Sequence, residues 1–176
     1  MKMIVLRHGE TDWNKQDKVL GRTDMPLNDQ GKAQALKMAE GLRDTHIDVI
    51  YTSPLRRARE TAETLSGGTI PVVVADDLIE MDYGVFEGEP RKSPVYQAAK
   101  RDYFKRYPEG ESYLDVAGRV LPLLKKWSVA HKDDTIAVVS HGGICRVVVN
   151  WIEDMDNEEF PSFAMPNCGW KVFELS

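Results

Sequence analysis

The sequence predicts a three-layer α/β/α fold, in which helices pack on both faces of a mostly parallel sheet. Short apolar runs alternate with helical patterns in the order βαβαβ…αβαβ, which is the order of strands joined by crossover helices. Two of the apolar runs end at a histidine followed by a glycine, at His8 and at His141. Because reactive groups of such sheets lie outside the carboxyl ends of the strands, we expect the two imidazoles to meet there.

The length and composition fit one folded domain, which we expect to span residues 1–176. Apolar residues make up 42% of the chain and charged residues 29%, unlike the composition of a disordered protein. The formal net charge is −5 and the sequence contains no basic tail, which argues against a nucleic-acid partner.

The cysteines and the N-terminal residues predict a cytoplasmic protein. Cys145 and Cys168 are too few for a disulfide framework and lack the paired spacing of a zinc site, so we interpret both as buried thiols. The apolar run Met3–Leu6 stops at a charged residue, too early for a signal peptide or a membrane span. We therefore expect no membrane partner, and the sequence does not indicate an oligomeric state.

The pattern of strands and helices is readable along most of the chain. Strands are expected at residues 3–6, 48–51, 70–75, 135–140 and 170–175, the last as a closing edge strand. Helices are expected at residues 30–43, from Ser53 as N-cap with Pro54 in the first turn, from Tyr113 to near His131, and at 143–152. Pro122 is expected to kink or loosen the helix that contains it.

The segment from Tyr83 to Gly110 is the exception to this regular pattern. It is rich in glycine, proline and charge, with one modest helical candidate at residues 95–106. A segment of this length inside a compact domain is usually a lid or a binding loop. We therefore expect a lid-like insertion at about residues 83–110 that influences the choice of substrate.

The strand ends would bring together a set of groups suited to a phosphate dianion. The set holds Arg7, His8, His141, the arginines of the segment Ser53–Arg59, and one carboxyl group, Glu80. A carboxylate beside phosphate repels it, so Glu80 fits only as a group that carries or transfers a proton.

The same groups predict a reaction. Nearby arginines disfavour imidazolium, so a histidine among them keeps a nitrogen free to attack phosphorus. Arginines and helix N–H groups would stabilise the transition state, and Glu80 would protonate the departing alkoxide. Water would then cleave the phosphohistidine.

Six segments in this order resemble the histidine phosphatase, or phosphoglycerate mutase-like, superfamily over nearly the whole chain. They are Arg7–Thr11 with Asn14, Gly21–Leu27, Ser53–Ala62, Glu80–Gly88, Pro108–Ser112 and Ser140–Gly143. The resemblance implies a phosphoglycerate mutase-like fold and a small phosphorylated metabolite as substrate, with no cofactor.

The resemblance also implies a role for individual residues. It identifies His8 as the phosphorylated nucleophile and Glu80 as the proton donor, with a phosphate pocket of Arg7, Arg57 and His141. Residues along the substrate path would be Asn14, Gly21, Thr23 and the Gly142 backbone N–H. The choice of Arg57 over its neighbours Arg56 and Arg59 rests on the family pattern alone.

Other polar residues have simpler interpretations. His46 and His131 are expected at helix ends or on the surface. The basic residues of the lid-like segment are expected to form a solvated face, with substrate steering as the alternative: Arg91, Lys92, Lys100, Arg101, Lys105 and Arg106. Trp13, Tyr83, Phe86 and Trp151 are expected to pack in the core. No metal is expected, because arginines would repel a divalent cation and the usual ligand spacings are absent.

Three functions remain open from the sequence. The chain is short for a cofactor-dependent phosphoglycerate mutase, and Met81-Asp82 stands where the mutases of this family carry an Arg-His pair. A metal-independent phosphomonoester hydrolase is therefore favoured over a mutase. A phosphate-binding regulatory protein without catalysis is the alternative of another class.

Overall fold

The computed structural model describes residues 1–175 and contains one five-stranded sheet. The strands are β1 (Lys2–Arg7), β2 (Val49–Thr52), β3 (Val72–Val74), β4 (Thr135–Ser140) and β5 (Trp170–Glu174). Their order across the sheet is β3-β2-β4-β1-β5. The first four run parallel, and β5 pairs antiparallel with β1 at the edge. The predicted mostly parallel sheet with a closing edge strand is confirmed.

Seven helices surround the sheet within residues 1–175. They are α1 (Asp12–Lys15), α2 (Asp29–Gly41), α3 (Arg56–Ser66), α4 (Pro94–Ala99), α5 (Tyr113–Ala130), α6 (Gly142–Glu153) and α7 (Glu159–Ser162). Short 3₁₀ turns lie at Asp76–Leu78 and Gly84–Phe86. No helix in this part of the chain is both long enough and apolar enough to cross a lipid bilayer.

The alternation of side chains along the central strands produces the three layers. In β1, Met3 and Val5 belong to a core shared with α5 and α6, whereas Ile4 and Leu6 belong to a second core shared with α2 and α3. All four side chains are fully buried. Because successive residues of a strand point to opposite faces, a continuous apolar run is what a sheet covered on both sides requires.

The predicted start of α3 is wrong. The helix begins at Arg56, and its N-cap is Leu55, which makes no side-chain capping bond. Ser53 instead extends the pairing of β2 with β4, because its N–H donates to the Val139 carbonyl at 3.1 Å. Strand pairing therefore continues past β2 and delays the helix, so Pro54 lies before it rather than in its first turn.

Two other boundaries differ from the prediction. β3 is shorter than residues 70–75, and α4 ends at Ala99 instead of extending to residue 106. α5 runs without a break through Pro122. Proline removes the N–H that would bond the Gly118 carbonyl, and Gly118 is exposed, so water can bond that carbonyl instead.

Two glycines provide a test of how closely the loop after β1 packs on α2. A Cβ on Gly31, in the first turn of α2, would lie 2.1 Å from the Glu10 carbonyl oxygen, whereas a Cβ on Gly118 in α5 would meet no atom within 4 Å. We expect Gly31→Ala to lower the free energy of unfolding by about 2 kcal/mol through overpacking. Gly118→Ala should raise it by about 0.5–1 kcal/mol through helix propensity. Urea unfolding of both variants measures this difference, and equal effects would contradict it.

Candidate active site

His8 follows β1 directly and is 3% exposed. One ring nitrogen, Nδ1, lies 2.6 Å from the Gly9 carbonyl oxygen. The other, Nε2, accepts a hydrogen bond from Arg57 Nε at 3.2 Å. A carbonyl can only accept and a guanidinium can only donate, so the proton of the neutral ring lies on Nδ1. The Nε2 lone pair therefore faces the arginine.

The surroundings of His8 keep its ring uncharged. Burial lowers the pKa of His8 well below its usual value, and the positive charges of Arg57 and Arg7 lower it further. Both effects disfavour the imidazolium form. A neutral imidazole with a fixed tautomer is a nitrogen nucleophile once its Nε2 lone pair is released from Arg57.

Arg57 is fixed by backbone carbonyls. It is fully buried in the first turn of α3, and its Nη1 and Nη2 donate to the carbonyls of Thr23 at 3.0 Å and Gly21 at 2.6 Å. Burial lowers its pKa to about 10, so the side chain keeps its charge at neutral pH. Within residues 1–175 no carboxylate oxygen lies within 4.0 Å of it.

The loop that carries Gly21 and Thr23 is itself held by Glu87. The Glu87 carboxylate accepts the N–H groups of Gly21, Arg22 and Thr23 at 3.0–3.3 Å, and the Thr23 hydroxyl at 2.8 Å. A Cβ on Gly21 would lie 2.0 Å from this carboxylate. Gly21 and Thr23 thus hold Arg57 through their carbonyls, and neither lines the cavity beside His8.

The second histidine lies against the first. His141 is the fully buried N-cap of α6, and its ring centroid is 5.1 Å from that of His8. Its Nε2 lies 2.7 Å from the Ser53 hydroxyl oxygen. Burial lowers the pKa of His141 well below its usual value, and the charge of Arg57 adds to the effect.

Two buried polar atoms of the site have no partner within residues 1–175: His141 Nδ1 and Arg7 Nε. Another nitrogen of Arg7, Nη1, donates a hydrogen bond to the Met165 carbonyl at 2.7 Å. When the Ser53 hydroxyl donates to His141 Nε2, His141 Nδ1 carries the proton. Buried donors without acceptors are rare in folded proteins, and an oxyanion between the two would satisfy both.

Glu80 approaches the same place from the loop after the first 3₁₀ turn and is 4% exposed. Its two oxygens accept the N–H groups of Met81 at 2.8 Å and Gly143 at 3.1 Å. A Cβ on Gly143 would lie 2.6 Å from Glu80, so this approach requires glycine. Among the acidic residues 1–175, Glu80 alone lines the cavity.

These groups surround a cavity of about 160 Å³. Of the residues predicted from the sequence, five line it: Arg7, His8, Asn14, Glu80 and Gly142. Arg57 and His141 contact the His8 ring but are not among the residues that line the cavity. Asn14 serves in addition as a cap, because its Oδ1 accepts the Thr11 N–H at 3.2 Å.

The far wall of this cavity combines residues of the predicted lid-like segment with Tyr113 and Arg146, which the sequence interpretation missed. It contains four tyrosines and three cationic side chains, which are Tyr83, Tyr96, Tyr107, Tyr113, Arg91, Lys100 and Arg146. For Arg91 and Lys100 the interpretation as a solvated face is wrong, whereas Lys92, Arg101, Lys105 and Arg106 are exposed as expected. Arg146 lies four residues after Gly142 on α6, and this helical spacing could have revealed it.

The remaining predictions for polar residues agree with the structure. His46 is exposed and contacts Asp48, and His131 is the C-cap of α5. Both thiols are free and buried.

A larger groove of about 600 Å³ beside Phe104 and Phe160 contains no histidine, arginine or lysine, so the chemistry belongs to the smaller cavity.

We expect the substitution Arg57→Met to raise the pKa of His8, because the arginine charge is the largest influence on that ring after burial. Arg59→Met, on the exposed side of the same helix, should leave the pKa unchanged. Titration of the imidazole by NMR in both variants measures the effect. An identical His8 titration in the parent protein and in Arg57→Met would contradict this electrostatic account.

Comparison with known proteins agrees with this geometry. The model of the histidine phosphatase superfamily (branch 1) matches residues 3–176. An uncharacterised phosphatase of Bacillus subtilis is 37% identical over 157 residues, covering 89% of this chain and 79% of that protein. A 2,3-bisphosphoglycerate-dependent phosphoglycerate mutase of Gloeothece citriformis is 30% identical over 218 residues, covering 99% and 94%. The structure of a mycobacterial glucosyl-3-phosphoglycerate phosphatase superposes with a TM-score of 0.86 at 29% identity, covering 97% and 88%. The chain therefore belongs to branch 1 of the histidine phosphatase superfamily.

Proposed function

We propose that this protein hydrolyses the phosphate monoester of a small metabolite through a phosphohistidine at His8. The observation that carries the proposal is the state of the His8 ring: buried, neutral, and with its Nε2 lone pair fixed by Arg57 at 3.2 Å. The partnerless donors Arg7 Nε and His141 Nδ1 support a phosphoryl group beside it.

In the first step, His8 Nε2 gives up the hydrogen bond from Arg57 Nε, and its lone pair attacks phosphorus as the bond from phosphorus to the ester oxygen breaks. The electron pair of that bond leaves with the oxygen, which takes a proton from the Glu80 carboxyl. Charge on the phosphoryl oxygens is stabilised by Arg7, Arg57 and His141. The Nδ1–H bond to the Gly9 carbonyl holds the ring in place as it becomes cationic.

In the second step, the Glu80 carboxylate takes a proton from water as the water oxygen attacks phosphorus. The bond between phosphorus and Nε2 breaks and its electron pair returns to His8. Phosphate is released, and Glu80 is again protonated. The cycle consumes one ester and one water and leaves both residues unchanged.

Hydrolysis is favoured over mutase activity by the residues that follow Glu80. Met81 is buried in the core, and Asp82 accepts the Gly84 N–H and pairs with Arg22 at 3.6 Å. Neither offers a cationic group to the cavity. Phosphate release from 3-phosphoglycerate, compared with its isomerisation after priming with the bisphosphate, separates the two activities. Efficient isomerisation with little release would reject the hydrolase.

The cationic cavity also supports catalysis without a metal ion, because its arginines repel divalent cations. We propose a cytoplasmic location as well, which is supported by two free thiols of the kind that persist in reducing compartments.

The substitution His8→Ala removes the proposed nucleophile and should lower kcat for phosphomonoesters by several orders of magnitude. Rapid denaturation of the parent protein during turnover, at alkaline pH, should show a phosphoryl adduct at residue 8 by mass spectrometry. His46→Ala, which changes an exposed histidine, is the matched control and should retain activity and adduct. Unchanged turnover in His8→Ala would remove the nucleophile assignment, whereas phosphate binding without any turnover in the parent protein would support a phosphate-binding protein without catalysis.

The substitution Glu80→Gln tests the proton donor through the leaving group. An alkyl phosphate needs protonation of the departing oxygen, so its kcat should fall about 100-fold or more. Nitrophenolate leaves without a proton, so the loss of kcat with 4-nitrophenyl phosphate should be smaller than the loss with the alkyl phosphate, by a factor of about ten or more. The exposed Glu89→Gln serves as control. Equal losses with both esters would contradict proton donation by Glu80 to the leaving group.

A further inference from the structure

The backbone that carries Glu80 is held from α5 by one arginine. Arg119 lies in the middle of this helix, with its side chain 16% exposed. Its Nη2 donates to the Glu80 carbonyl at 3.3 Å, and its Nη1 donates to the Asp77 carbonyl in the preceding 3₁₀ turn. Arg119 is not among the residues that line the cavity beside His8, and no step of the proposed reaction uses it.

Glu111, the residue that follows the lid-like segment, orients the Arg119 guanidinium. Its Oε1 accepts from Arg119 Nε at 3.3 Å, and its Oε2 accepts from Arg119 Nη2 at 3.2 Å. The same carboxylate accepts the Asp82 N–H at 3.1 Å, and the Glu111 N–H donates to the Asp82 carbonyl at 2.9 Å. Two bonds between a guanidinium and a carboxylate restrict the arginine to one orientation. The pair therefore joins α5 to the backbone of residues 80 and 82.

Arg22 approaches the same carbonyl from the loop between α1 and α2. Its Nε donates to the Glu80 carbonyl at 3.5 Å, and its Nη2 donates to Glu111 Oε1 at 2.9 Å. The Arg22 side chain is 39% exposed, more than twice as much as that of Arg119, and its contact with the carbonyl is longer. Exposed ion pairs contribute little to holding a structure, so Arg119 is the principal restraint on this carbonyl.

One peptide group connects this restraint to the Glu80 carboxyl group. The carbonyl of the peptide between Glu80 and Met81 accepts from Arg119, and the N–H of the same peptide donates to Glu80 Oε1 at 2.8 Å. A trans peptide group is planar, and its C=O and N–H point in opposite directions. A fixed carbonyl direction therefore fixes the direction from which the N–H contacts the carboxyl group. The Gly143 N–H holds the other oxygen at 3.1 Å.

Proton donation depends on this orientation. A general acid must lie within hydrogen-bond reach of the departing oxygen, and small displacements of a reacting group lower the rate strongly. Without the arginine, the peptide after Glu80 can rotate and its N–H can leave Oε1. The carboxyl group would then keep one of its two backbone donors and could turn about its side-chain torsions.

From this geometry we propose that Arg119, oriented by Glu111, is a positioning residue for the proton donor Glu80. It acts through the peptide group that follows Glu80 and lies outside the cavity that receives the ester. Loss of Arg119 therefore impairs proton transfer and spares phosphoryl binding. The inference rests on the proposed role of Glu80 as the acid of the same reaction.

The kinetic test compares Arg119→Met with the parent protein on 3-phosphoglycerate and 4-nitrophenyl phosphate. Only the alkoxide needs a proton from Glu80, so the ratio of kcat for the first ester to kcat for the second should fall at least about threefold. KM for 4-nitrophenyl phosphate should stay unchanged, because the phosphate side of the cavity is not altered. Equal losses of kcat with both esters would indicate a structural role only and reject the inference.

Arg106→Met is the matched control. Arg106 donates to both oxygens of Asp115 in the first turn of α5, at 2.6 and 2.8 Å, so this variant removes an arginine–carboxylate pair from the same helix. Within residues 1–175 the Arg106 side chain makes no hydrogen bond to residues 77–82. The ratio of the two kcat values should therefore be preserved, and a fall equal to that in Arg119→Met would reject the inference.

Two further variants show whether Arg119 acts through Glu80. Glu80→Gln removes the acid, so the addition of Arg119→Met to it should lower the ratio no further. An additional fall in the double variant would show that Arg119 acts elsewhere and reject the inference. Arg119→Lys keeps the charge but lacks the guanidinium fork, so its ratio should lie between those of the parent protein and Arg119→Met. If Arg119→Met does not fold, a parent-like ratio in Arg119→Lys rejects the inference.

Amide hydrogen exchange measured by NMR tests the positioning without turnover. The Met81 N–H should exchange at least about tenfold faster in Arg119→Met, whereas the Val138 N–H in the central strand β4 should keep its rate. Faster exchange at Met81 alone supports the inference even if neither ester is hydrolysed, and unchanged exchange at Met81 rejects it. If Glu80→Gln lowers the kcat ratio and Arg119→Met does not, the positioning role is rejected and the hydrolase stands.

Discussion

The structure depends on keeping one imidazole neutral among arginines. Burial and two guanidinium charges keep the His8 ring unprotonated, and the Gly9 carbonyl decides which nitrogen carries the single proton. An arginine so close to a histidine must itself be held in place, since the two would otherwise separate by side-chain rotation. The Gly21 and Thr23 carbonyls supply that restraint, so the electrostatics of the ring depend on two residues that do not line the cavity.

The sheet topology places the two histidines of the site next to each other. β1 and β4 are parallel neighbours, paired from Lys2 with Thr135 to Arg7 with Ser140, so the residues that follow each strand emerge side by side. His8 and His141 are those residues. Because both strands are central and buried on two faces, the distance between the rings is set by the most rigid part of the fold. Ser53, at the end of the next strand, then orients the second ring.

The sequence predicted the parts of the site that follow directly from strand ends. Apolar runs closed by His-Gly can be read locally, and parallel topology makes them converge. Arg57 could not be chosen over Arg56 and Arg59 by helical projection, because its role depends on carbonyls that no sequence displays. The start of α3 was misjudged because pairing with a neighbouring strand, a tertiary interaction, overrode the local pattern. β3 is limited to the three residues that pair with β2. Arg91 and Lys100 lie in a segment with little periodicity, so the sequence left open whether they face solvent or the substrate.

Two different parts of the chain form the two sides of the cavity. Strand ends and the start of α6 hold the phosphate side, where the chemistry demands fixed atoms and tolerates little change of position. Residues of the segment 83–110, together with Arg146, form the opposite wall. The Glu87 carboxylate fixes this segment to the loop whose carbonyls hold Arg57. One scaffold can therefore keep its reaction while changing its substrate, which is why the carbon skeleton must be deduced from this wall and not from the fold.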